Sequence, residues 1–146
     1  MALSDVAITG RGYVAGLLGR DYGGSAISNI VVSGSVVSTV SNAVGGLVGA
    51  AEGGMAHSSS IRNGHSSAVV QGTQTSIGGL AGYTDGVDIS KSTASGAVTL
   101  TGTNLNTGSV GGLVGDFENG TISNSRSSGA VVGTTMVGGL VGMNLI

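Results

Sequence analysis

Apolar residues return along this chain in short clusters of fixed order, separated by Gly, Ser, Asn and Thr. Residues 45–49, 111–115 and 138–142 read Gly-Gly-Leu-Val-Gly without change, and 15–19 and 78–82 are variants, Ala-Gly-Leu-Leu-Gly and Gly-Gly-Leu-Ala-Gly. The leucines Leu17, Leu47, Leu80, Leu113 and Leu140 are spaced by 30, 33, 33 and 27 residues, a period that signals stacked supersecondary units. After each glycine motif comes a turn and then an apolar anchor with small polar residues: Ile27-Ser28-Asn29, Met55-Ala56-His57, Ile89-Ser90-Lys91 and Ile122-Ser123-Asn124. A small-residue corner leads next into valine: Ser33-Gly34-Ser35-Val36, Ser66-Ser67-Ala68-Val69, Ser95-Gly96-Ala97-Val98 and Ser128-Gly129-Ala130-Val131.

Short β-branched runs bounded by Gly, Ser and Asn read as strands, because an amphipathic helix needs ten or more residues at a 3.6 period and tolerates few glycines. Three short strands and three corners per unit fit one coil of a β-solenoid. The expected fold is therefore all-β, a β-solenoid (β-helix) of about four coils with roughly three strands each, in a single repeat domain spanning 1–146. The units run 14–43, 44–76, 77–109 and 110–136, with partial units at 1–13 and 137–146. The second unit carries about four extra residues, assigned to a surface bulge near Ser60 to His65 because Arg62-Asn63-Gly64 is turn-like.

Composition narrows the class further. Thirty glycines among 146 residues, with no Pro and no period of three, exclude collagen. A hydrophobic content of 40% with a formal charge of only −2 opposes disorder. Absence of Cys removes disulfides and thiol chemistry. No apolar run approaches the ~20 residues of a membrane span, no signal peptide is visible, and the five basic residues are scattered singly, so neither nucleic acid nor membrane is an expected partner.

The segments Gly46-Leu47-Val48-Gly49, Gly112-Leu113-Val114-Gly115 and Gly139-Leu140-Val141-Gly142 resemble the GLUG motif, Gly-Leu-bulky-Gly. Gly16-Leu17-Leu18-Gly19 fits as well, whereas Gly79-Leu80-Ala81-Gly82 departs by placing Ala at the bulky position. The resemblance implies a repeat region of a large bacterial surface protein, of the kind found with IgA-specific metallopeptidases and haemagglutinin-like adhesins. What it implies is an extracellular, non-enzymatic, structural or adhesive role, without a cofactor. Further repeats of the same protein, or a host-surface or glycan ligand, are then the expected partners.

Candidate chemistry is sparse. No phosphate loop, nucleophile elbow or His-Glu-x-x-His zinc site occurs, and His57 and His65, the two histidines, fall in the irregular second unit and read as solvated loop residues. Carboxylates recur four or five residues after the leucine, as Asp21, Glu52, Asp85 and Glu118, with Asp88 and Asp116 close by. Stacked in a solenoid they form a column at about 4.8 Å spacing, readable either as a Ca²⁺ site or as ordinary exposed turns. Tyr22, Tyr83 and Phe117 share that turn, either as a strip for stacking on sugars or as coil-edge packing. Threonines at 73, 75, 99, 101, 103, 134 and 135 raise an ice-binding face as a further alternative, against simple strand propensity. Finally, 4–13 matches the closing half of a unit and 138–146 the opening half. That pattern fits either a segment of a longer surface protein or a filament subunit stacking end to end.

Overall fold

A computed structural model describes residues 1–54, 58–102 and 108–146. It is an all-β solenoid of about 5 turns. Strand β1 (Ala2–Ala15) lies along the first full coil, which consists of β2 (Leu18–Tyr22) and the long β3 (Ala26–Gly45). The second coil contains β4 (Val48–Glu52), β5 (Ser59–Ser66), β6 (Val69–Gly72) and β7 (Ser76–Gly78). The third has β8 (Ala81–Ser90), β9 (Thr93–Ala94), β10 (Val98–Leu100) and β11 (Ser109–Gly111). The fourth has β12 (Val114–Ser123), β13 (Arg126–Ser127), β14 (Val131–Val132) and β15 (Met136–Gly138), and β16 (Val141–Leu145) opens the next.

The coil count exceeds the expected four because the partial units at each end contribute strands of their own. β1 pairs with β3 from Ala2↔Val31 to Ala15↔Gly45, and β16 pairs with β12. Coils two to four have four strand segments rather than three, since the glycine bend divides one expected segment into two, as at β7 and β8. Every strand pair among the described residues is parallel, each coil pairing with the one before and after it.

The glycine motif makes a close backbone contact between coils. Leu17 N–H donates to Leu47 O (3.1 Å), Leu47 to Leu80 O (2.9 Å), Leu80 to Leu113 O (2.8 Å) and Leu113 to Leu140 O (2.8 Å). Each of these carbonyls accepts a second bond from the residue after the leucine, as Val48 N–H does to Leu80 O (3.0 Å). Such close stacking leaves no room for a side chain at the first glycine of the motif: a Cβ on Gly46 would fall on Gly79 O and Ser66 Oγ, and one on Gly79 would fall on Gly112 O. Glycine is required here by close approach rather than by left-handed backbone.

Inside the coils, columns of one residue type stack. Leu47, Leu80 and Leu113 are fully buried, as are Val44, Ile77 and Val110 beside them. Burial of this kind stabilises by about 1.5–3 kcal/mol per large aliphatic side chain. A third column is Ile27, Ile61, Ile89 and Ile122, in register through β3, β5, β8 and β12.

That column corrects the reading of the second unit. Its anchor is Ile61-Arg62-Asn63, since Ile27 pairs with Ile61 and Ile61 with Ile89. The extra residues therefore lie between Glu52 and Ser59, ahead of the anchor, and 60–65 belongs to β5, which is no bulge but does turn a corner at Asn63. Met55-Ala56-His57, taken as the anchor, lies outside the described residues. The decisive signal is backbone chirality: Asn29, Asn63, Lys91 and Asn124, each two residues after its isoleucine, all have φ between 48° and 57°. Asn tolerates this left-handed corner better than most residues, and the Asn63 amide donates to Asn29 Oδ1 at 2.8 Å. The following corner shifts with it. Val36 pairs with Val70 and Val70 with Val98, so Val70 is fully buried and Val69, expected at that place, points outward at 40% exposure. A one-residue slip exchanges the two faces of a strand.

Candidate functional site

Two outward columns flank the glycine bend and define a cleft along the solenoid. Four residues before each leucine stand Tyr13, Ala43, Ser76, Ser109 and Met136, in register through Tyr13↔Ala43, Ala43↔Ser76 and Ser109↔Met136. Three residues after each leucine stand Arg20, Ala50, Tyr83, Asp116 and Met143, again in register. Both columns carry alanine on the second coil and larger or polar residues on the coils either side. The interruption leaves an open cleft of about 470 Å³, walled on one side by Tyr13 and Arg20, on the other by Tyr83, Ser76 and Asp116, and bordered by Glu52.

Its polar groups hold one another in place. Arg20 donates from Nη2 (2.7 Å) and Nε (3.1 Å) to Glu52 Oε1, and its guanidinium lies over the Tyr13 ring at 4.4 Å and the Tyr22 ring at 4.1 Å from the centroids. Such contacts fix the guanidinium plane and screen its charge. Across the cleft, Asp116 accepts from the hydroxyls of Ser76 and Ser109. Tyr83 donates its hydroxyl to Glu118 Oε2 at 3.1 Å. Burial pushes the Tyr83 phenol well above its ordinary value, and the carboxylates of Glu118, Asp85 and Glu52 add to the shift, so the ring is a hydrogen-bond donor throughout the physiological range.

The acidic column is shorter than the sequence implied. Glu52, Asp85 and Glu118 pair in register, whereas the place on the first coil is taken by Tyr22. Asp21 stands one residue earlier, paired with Ala51, and faces inward. There its carboxylate accepts from Ser25 Oγ (2.6 Å) and Ser59 Oγ (3.3 Å). Each member of the column also has a partner: Arg20 on Glu52, the Asn119 amide on Asp85 (2.9 Å) and Tyr83 on Glu118. Among the described residues, no three His, Cys, Asp or Glu side chains converge as a metal site would require.

The aromatic strip does not form either. Tyr22, Tyr83 and Phe117 occupy three adjacent columns, because they stand five, three and four residues after their leucines. Phe117 faces the core and is buried. A regular threonine face is likewise absent from this strand column, where Thr99 stands between Gln71 and Val132; Thr103 lies outside the described residues. His65 belongs to β5 rather than to a loop, its ring nitrogens 2.8 Å from Thr93 Oγ1 and 2.9 Å from Asn63 Oδ1, and His57 lies outside the described residues. The cleft residues Tyr13, Arg20, Ala43, Ser76 and Asp116 were not singled out by sequence as a binding group. Counting minus four and plus three from every leucine is the signal that finds them.

The geometry defines a class of protein: a parallel β-solenoid with a glycine corner. A family model described as the GLUG motif matches residues 73–99. That span includes Gly79-Leu80-Ala81-Gly82, the copy with alanine in the bulky place. Residues 73–99 are thus similar to the GLUG motif, which is consistent with a GLUG-repeat region. Comparison with curated proteins gave no match, and neither did comparison with solved structures.

Proposed function

We propose that this chain is a non-enzymatic structural and adhesive segment of a bacterial extracellular surface protein. The observation carrying this reading is the unbroken leucine ladder. The backbone contact is repeated at every coil while the outward side chains change from coil to coil, as suits a rod that spaces or presents a variable surface. Stacked coils bury one another and leave their outer face free of folding constraints. Labelling intact and permeabilised cells of the encoding organism with an antibody against the chain tests the location. Signal on intact cells is expected, and signal only after permeabilisation would sink the reading.

A further inference from the structure

We infer that the cleft at the second coil is a binding notch for one neutral sugar residue. The inference rests on the adhesive reading and gives it a site and a ligand class. The notch has a built origin: on a solenoid, side chains of successive coils normally touch along each column, and here both outward columns drop to alanine on the same coil. Arg20 and Tyr83 are therefore two coil spacings apart, about 10 Å along the axis, with Ala50 covered beneath them and Ala43 and Glu52 lining the gap. The resulting volume of about 470 Å³ lies within the usual range of small-molecule sites, roughly 300–1,000 Å³.

Its chemistry selects among ligands. Arg20 is the only base lining the cleft among the described residues, and Glu52 neutralises it at 2.7 Å, which disfavours an anion. Asp116 keeps its charge, but each of its oxygens already accepts a serine hydroxyl, and Glu52 is paired with Arg20, which leaves no converging carboxylates for a cation. What remains is a set of paired groups whose unused capacity is mixed. Further guanidinium N–H donors on Arg20 and the second carboxylate oxygen of Glu52 as an acceptor accompany the Tyr83 ring, an aromatic wall with a polar edge. Alternating donors and acceptors beside an aromatic face match a polyhydroxylated ring with no net charge.

The test is a titration followed by amide chemical shifts, using galactose, glucose, mannose and N-acetylglucosamine as separate probes. Inorganic phosphate and an oligolysine peptide serve as charged comparators. A saturable change confined to the amides around Ala43, Ala50 and Tyr83 is expected with at least one sugar. Tyr83→Ala should weaken it about tenfold, the equivalent of one lost contact of ordinary strength, and Thr121→Ala, outside the notch, should leave it unchanged. Ala43→Leu should fill the notch and abolish the response. If that substitution impairs folding, Arg20→Gln tests the opposite wall. Absence of saturation with every sugar overturns the proposal, as does a response at these amides to phosphate or oligolysine alone. Either failure leaves the surface-segment reading standing, because intact-cell labelling decides that separately.

Discussion

The leucine column and the column three residues further on lie on opposite sides of one turn. The inner positions read Leu17, Leu47, Leu80, Leu113 and Leu140; the outer ones read Arg20, Ala50, Tyr83, Asp116 and Met143. The same backbone ladder carries both. Inside, each leucine must fill the space left by identical neighbours, so interior packing density sets the residue. Outside, the side chains pack against the coil above or below and all but Ala50 also meet solvent, and aromatic, charged and small residues all satisfy that requirement. The fold is therefore fixed by the inner column, while the outer column is free to build a notch.

Substitution of the glycines should break this comparison most sharply. Gly46→Ala places a methyl against a backbone oxygen that belongs to the next coil and cannot move alone. We expect a loss of about 3 kcal/mol or more, at the upper end of overpacking costs. Gly54→Ala makes the same chemical change where only Gly23 Cα comes within 4 Å, at 3.9 Å. Its effect should stay within about 0.5 kcal/mol, or become slightly stabilising through the unfolded chain. Urea unfolding of both variants is the measurement, and equal losses would show that coil contact is not what the motif glycine serves.

Next in size is the leucine column itself. Leu113→Ala removes a fully buried side chain stacked between Leu80 and Leu140, and should cost about 2–5 kcal/mol. Leu140→Ala, at 38% exposure, should cost clearly less because solvent already reaches the site. Thermal melting separates them. Similar losses would mean that Leu140 is covered in solution.

These inner features were legible in the sequence because the motif is contiguous and never changes length. Where length does change, legibility failed for a physical reason. Between Leu47 and the next anchor, Met55 and Ile61 are both apolar, and hydrophobicity alone does not choose between them. Asn63-Gly64 would have chosen, since Asn29 and Asn124 mark the same left-handed corner after their isoleucines. The error then carried forward one residue and set Val69 in place of Val70. Asp21 and Glu52 look equivalent in a linear count of acids, but a difference of one position turns the first inward and the second outward. The notch was invisible because it arises from what is missing: Ala43 and Ala50 matter only through the larger residues stacked around them.

On the outer side, the phenol of Tyr83 offers a pH-dependent test. Its folded value is raised by burial and by Glu118, Asp85 and Glu52, whereas in the unfolded chain it titrates near about 10. Below that pH its contribution is fully present. Above it the unfolded state releases a proton that the folded state keeps, so stability falls as pH rises. Tyr83→Phe should lose this alkaline decline while retaining the ring. Denaturant midpoints from neutral pH into the alkaline range decide, and parallel slopes for both proteins would show that Tyr83 is not the responsible group.

The smallest expected effect concerns the ion pair at the mouth of the notch. Glu52→Gln removes the carboxylate that meets Arg20 at 2.7 Å, with the two side chains 29% and 28% exposed. An ion pair buried away from water would cost about 3–5 kcal/mol when one partner is removed. Two features pull this one down. Arg20 keeps its contacts with the Tyr13 and Tyr22 rings, and loss of the Glu52 charge relieves repulsion from Asp85, its in-register neighbour. We therefore expect about 0.2–1 kcal/mol, typical of solvent-accessible pairs. The difference should largely vanish in 1 M salt, where screening acts over about 3 Å. A loss above about 2 kcal/mol that persists in salt would place Arg20 in a dry environment. The open side of the comparison would then be structural there, with its residues set by packing as the leucines are.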